Sequence, residues 1–100
     1  MGMPIVNLTA TLPLEVSLNN AYPNPFNPTT TLSYVVPTDM NVSLAIYDMR
    51  GRLVDELVND LRASGQHQVT WNADQHASGI YMVKLKTGST VNVQKVMLLK

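Results

Sequence analysis

The chain has 100 residues, 45% of them hydrophobic and 14% charged, and its seven basic and seven acidic side chains cancel. That is enough for one domain with its own core, but it leaves little volume for a deep catalytic cleft. Zero net charge gives no electrostatic footprint for nucleic acid or an anionic membrane, and the absence of cysteine removes disulfides, thiolate nucleophiles and most zinc sites.

No apolar run approaches the roughly 18 residues that span a bilayer. The opening Met1-Gly2-Met3-Pro4 has neither the charged nor the apolar region of a signal peptide. Residues 4–13, bracketed by Pro4 and Pro13, mix polar and apolar side chains and read as a linker or a loosely attached edge segment. Residues 1–13 are therefore set apart from a domain over 14–100, the first three reading as an added start.

From Leu14 the sequence alternates. Leu14, Val16 and Leu18 share one face of a short strand. Asn20-Ala21-Tyr22-Pro23-Asn24-Pro25-Phe26-Asn27-Pro28 follows, and its three prolines remove three backbone donors. Such a segment belongs along an edge or over one end of a sheet, with Tyr22 and Phe26 free to pin it to the core. Thr30 to Val36 is a β-branched strand with Leu32, Tyr34 and Val36 on one face, stopped by Pro37. Residues 38–41 turn the chain, and Val42, Leu44 and Ile46 then alternate against Ser43, Ala45 and Tyr47.

Met49-Arg50-Gly51 forms a tight turn in which Gly51 takes positive φ. Residues 52–59 return as a strand, with Val54 and Val58 on one face and Leu53 and Leu57 on the other. Leu53, Leu57 and Leu61 also fit a helical period, but Gly51 and Gly65 bound the segment too closely for a helix. From Gly65, His67, Val69 and Trp71 face inward. After a polar loop over 72–78, Gly79 opens a strand with Tyr81, Val83 and Leu85 inward. Thr87-Gly88 turns into the last strand, 89–99. There Val91 and Val93 have one parity and Val96 and Leu98 the other. This predicts a bulge near Gln94 or Lys95, or burial of both faces at the strand's end. Seven strands with turns every 8–12 residues or so read as an all-β, seven-stranded antiparallel sandwich.

Little in this chain carries chemistry. His67 and His76 lack a third ligand at metal spacing and read as structural or merely exposed. Ser64, His67 and Asp60 or Asp74 sit in no nucleophile motif, and the dispersed carboxylates form neither a glycosidase pair nor a calcium loop. No catalytic residue, metal site or cofactor is assigned. Parity puts Trp71, Tyr34 and Tyr81 in the core, which leaves Tyr47 as the best exposed aromatic for a sugar-stacking surface. The triplets Asn7-Leu8-Thr9 and Asn41-Val42-Ser43 match glycosylation acceptors at a frequency chance supplies.

The run from Asn20 to Thr30 is more specific than any of these. Later landmarks fall in order: Ile46-Tyr47-Asp48 with Gly51-Arg52, Gly65-Gln66-His67 with Val69-Thr70-Trp71-Asn72, then Ala77-Ser78-Gly79-Ile80-Tyr81, then Lys95-Val96-Met97-Leu98-Leu99-Lys100. Together they resemble the C-terminal (type A) sorting domains of the type IX secretion system of Bacteroidetes, relatives of the Ig-like domain of the flagellar hook-capping protein. Met40 stands where a turn glycine is common, and Met82-Val83 replaces an aromatic-rich stretch.

The resemblance implies an Ig-like, non-catalytic address tag on a larger exported protein. Such a tag is read by the outer-membrane translocation machinery and often removed by a cell-surface sortase that joins the cargo to lipopolysaccharide. The destination is then the cell surface or the medium, by way of the periplasm and outer membrane, without membrane insertion and without nucleic acid. Carried onto this chain, the recognition element is Lys95, Val96, Met97, Leu98, Leu99 and Lys100 with Gly79 and Tyr81. The family motif is Tyr22, Pro23, Asn24, Pro25, Phe26, Asn27 and Pro28, and the cut falls in or near residues 4–13. The last strand is expected at a sheet edge, open to pairing with a partner strand. The alternative is a structural Ig-like spacer or an accessory module of a secreted enzyme, carbohydrate-binding modules included.

Overall fold

The computed structural model describes residues 15–88 and 90–100. Its strands are β1 (Ser17–Leu18), β2 (Thr29–Val36), β3 (Met40–Tyr47), β4 (Leu53–Arg62), β5 (Gly65–Asn72), β6 (Gly79–Thr87) and β7 (Thr90–Leu98). They form two antiparallel sheets, β1-β2-β5 and β4-β3-β6-β7, packed as a sandwich. The expected strand 14–18 is represented by its last two residues, while Leu14 and the linker 1–13 lie outside the described residues. β4 runs on to Arg62, as a strand and not a helix.

Alternation makes the core. Leu32, Tyr34 and Val36 of β2 face Val42, Leu44 and Ile46 of β3 and Val83 and Leu85 of β6, all buried. Trp71 anchors one end: its indole ring lies 5.5 Å from Phe26 and 5.4 Å from Tyr81. Its Nε1 donates to Asp55 across the sandwich at 3.1 Å, so the one polar atom of the ring is satisfied as it is buried. His67 stacks on Tyr34 and bonds the Ala63 carbonyl, and His76 packs on Trp71.

Three expectations are corrected. First, the phase slip is in β4, not β7. The β3–β4 register shifts between Leu44 and Ala45 and again between Ile46 and Tyr47. Each bulge on β4 rotates the next side chain, so Val54, Leu57 and Val58 all pack on the core while Leu53 and Leu61 stay exposed. Second, β6 and β7 pair without a break from Gly79↔Leu98 to Thr87↔Thr90. The inward parity of β7 continues through Asn92 and Gln94, and Val91 and Val93 face solvent. Gln94 tolerates the inward position because its amide accepts from Ala21 N–H at 2.8 Å and donates to Asn19 C=O at 2.6 Å. Third, Ala45 is buried despite its outward parity, and Tyr47 lies half-buried with Lys84 Nζ 4.9 Å over its ring.

The β3–β4 turn is built on Asp48. Its carboxylate accepts the N–H groups of Arg50 and Arg52 at 2.9 and 3.0 Å and pairs with the Arg52 guanidinium at 3.1 Å, while Gly51 takes φ +83°. The Arg52 amide above all holds the Asp48 carboxyl below its ordinary 3.8; desolvation opposes it, and the Arg50 amide and Arg52 side chain add to it. A carboxyl whose folded pKa is depressed stabilises the fold above its unfolded pKa, and that contribution is lost as pH falls through the folded value. Titration downward from about pH 5 should therefore lower the protection factors of the Arg50 and Arg52 amides, their exchange rates taken relative to the intrinsic rate at each pH, before those of β2 or β6 fall. Asp48→Asn should flatten this dependence.

Candidate functional site: a proline-rich arm on the last strand

The site joins the two ends of the described chain. Pro23, Pro25 and Pro28 have no N–H, so the arm between β1 and β2 cannot enter a ladder as a full strand. It meets each sheet at one residue instead. Tyr22 exchanges two backbone bonds with Thr31 of β2, at 3.1 and 2.9 Å. Phe26 pairs in parallel with Leu98: its N–H donates to Met97 C=O and its C=O accepts from Leu99 N–H, both at 2.9 Å. Between them the Asn24 side chain imitates a strand residue. Its Oδ1 accepts from Met97 N–H at 3.0 Å and its Nδ2 donates to Lys95 C=O at 3.2 Å.

The remaining arm carbonyls are also used. Pro23 C=O accepts from Thr30 Oγ1 at 2.7 Å, and Pro28 C=O accepts from Ala73 N–H at 2.9 Å. Phe26 is buried against Trp71, but Tyr22 is 80% exposed. Tyr22 therefore does not pin the arm with its ring as the sequence suggested; its backbone does. Asn27 and Pro25 are exposed, and Pro28 is half-buried.

The tail divides by parity. Val96 and Leu98 are core, opposite Tyr81 and Gly79 of β6. Lys95, Met97, Leu99 and Lys100 present their side chains to solvent. Lys100 is held at both ends: its N–H donates to Ser78 Oγ at 3.0 Å and its Nζ to Asp74 C=O at 2.6 Å. An open cleft of about 310 Å³ lies beside the clamp, between Pro25, Ile80, Lys95 and Met97. β7 is the outermost strand of its sheet, but its terminal half is not the open edge expected. The arm takes the outward backbone groups of Met97 and Leu99.

The residues proposed from the C-terminal landmark, the Gly79-Ile80-Tyr81 landmark and the arm motif therefore meet in one place. Sequence reading missed the Asn24 amide and the inward Gln94. A polar residue at the parity of Val96 and Leu98 was the available signal for Gln94. Among the described residues no group of three His, Asp or Glu is placed to hold a metal ion.

With this geometry in view, residues 20–99 match the family profile described as the secretion system C-terminal sorting domain. The chain belongs to that family. The matched segment opens two residues before Tyr22 and closes on Leu99, so it takes in the whole arm and its partners on β7. This sorting domain is also similar in fold to part of PorZ of Porphyromonas gingivalis, described as an essential bacterial surface component of the type-IX secretion system. Identity is 24% and the TM-score 0.56, over 85% of this chain but only 11% of the PorZ chain. No curated protein matches the sorting domain.

Asn24→Ala should lower stability by about 1–2 kcal/mol, the range for two such bonds, and raise amide exchange at Met97 and Leu99. Asn27→Ala, at an exposed neighbour, should stay within about 0.5 kcal/mol. Denaturant melts of both variants with exchange at Met97 check the pair.

Proposed function

We propose that this domain is the non-catalytic C-terminal address of a larger exported protein, carried through the type IX system to the cell surface or the medium. The proposed domain spans residues 14–100, and 1–13 form the linker to the cargo. The readers are the outer-membrane translocation machinery and a cell-surface sortase that cuts in or near residues 4–13. The observation that carries the reading is the family match over residues 20–99, and the arm clamp gives it a physical form. Because Asn24 and Phe26 hold Met97 and Leu99 in place, Lys95, Met97, Leu99 and Lys100 form a fixed surface beside the cleft at Pro25 and Ile80. A rigid element can be recognised with less ordering entropy than a free tail.

The test is a reporter fused to the full chain in a type IX-competent host. Deletion of residues 96–100 should abolish appearance of the reporter at the surface. That deletion also removes the core residues Val96 and Leu98, so a second variant, Met97→Ser with Leu99→Ser, changes exposed side chains only. It should keep its circular dichroism spectrum and still strand the reporter in the periplasm. Mass spectrometry of exported reporter should find its new end within residues 4–13. Export of both variants at the parent level would sink the reading and favour a spacer.

A further inference from the structure

The arm closes only the last part of the β7 edge. In the β6–β7 register, even-numbered β7 residues turn their backbone groups to β6, since Met97 and Leu99 turn theirs to the arm. The same parity puts the N–H and C=O of Val91 and Val93, and the N–H of Lys95, on the outer edge. No described residue bonds them. An exposed edge of this kind is normally blunted by bulges, charges or a covering segment. The opposite edge of the sheet has that protection in the two β4 bulges, and the end of β7 has it in the arm. The stretch Val91–Lys95 has neither bulge nor cover; its one charge, Lys95, stands at the end that the arm closes. It carries two half-exposed valines side by side, Val91 at 51% and Val93 at 48%.

Charge marks the same edge. Residues 75–100 contain four lysines and no carboxylate, and residues 16–38 contain no charged side chain at all. The carboxylates Asp55, Glu56 and Asp60 sit on β4, at the far side of the sheet. Among the described residues the two ion pairs are Arg52–Asp48 and Arg62–Asp60, so no lysine is neutralised by a carboxylate. Lys84 leans over Tyr47, away from the edge, but Lys86 stands exposed opposite Val91, and exposed Lys95 ends the free stretch. We propose that Val91–Lys95 of β7 is a docking edge for an extended acidic segment of a partner protein. That segment adds as a fifth strand to the sheet, with its carboxylates on the face of Lys86 and Lys95. Asn24 closes the slot at one end, so about five residues fit. A second copy is a poor occupant, because pairing on β4 meets its bulges and pairing β7 to β7 brings the Lys86 and Lys95 of one copy toward those of the other.

This inference stands on edge geometry and charge and is independent of the export reading. Its test is titration of the labelled full chain with a blocked hexapeptide alternating glutamate and valine, followed by amide exchange, with a lysine–valine hexapeptide as control. The glutamate peptide should slow exchange at Val91 and Val93 about tenfold or more, and the lysine peptide should leave it unchanged. Val93→Pro removes an outward N–H that β6 does not use, so it should keep the fold and abolish the slowing. Lys86→Glu with Lys95→Glu should weaken the glutamate peptide about tenfold and transfer preference to the lysine peptide. Unchanged exchange at Val91 and Val93, slowing confined to β4, or equal response to both peptides overturns the proposal. So does peptide-free protection at Val91 and Val93 accompanied by a dimer in sedimentation, which would assign the edge to a second copy.

Discussion

The two backbone bonds between Phe26 and the last strand are the constraint on which the rest of this domain rests. A sandwich of two sheets with unequal widths leaves one side where β1 and β7 meet only loosely. Tyr22 bonds β2 and Phe26 bonds β7, so a single arm of seven residues ties the sheets together there. Phe26 adds a ring against Trp71, which in turn reaches Asp55 on the far strand β4. A continuous path of packed and bonded groups thus runs from the arm through the core to the opposite edge.

Proline is what lets the arm serve both sheets. A regular strand would offer a donor at every residue and demand a ladder along its whole length. By removing three donors, at Pro23, Pro25 and Pro28, the sequence limits the arm's backbone demands to a few points and leaves the intervening groups to side chains. Asn24 supplies an amide with the same donor and acceptor as a peptide group, set where the chain's own backbone is turned away. Gln94 does the reverse, lending β7 a pair of bonds to the chain around Asn19 and Ala21. The two amides cross-stitch segments some 70 residues apart in sequence, separations of 73 and 75 for their longest bonds.

Much of this was legible from residue order alone. Period-2 alternation located all seven strands, because a half-buried strand must alternate and turns must interrupt it. The prolines announced an edge-running segment, and Gly51 and Gly79 marked element starts. Two kinds of feature were not legible. Bulges in β4 leave no compositional trace, so Leu57 and Val58 looked like opposite faces when a local twist brings both to the core. Long-range side-chain bonds are equally silent, since the Asn24 and Asn27 letters are the same and only one reaches β7. Tyr22 misled for a related reason, because an aromatic beside prolines suggests a buried ring when its backbone was the attachment.

The clamp also orders events in time. A chain made from its N-terminus exposes Phe26 early, long before Met97 and Leu99 exist to receive it. Until those residues are in place, the arm has one sheet to hold but not the other, and the ring of Phe26 packs beside an unfinished wall. Completion of the final strand is thus what closes the molecule. A chain cut before Met97 lacks the backbone groups that Phe26 needs, so the fold itself registers whether the last strand is present.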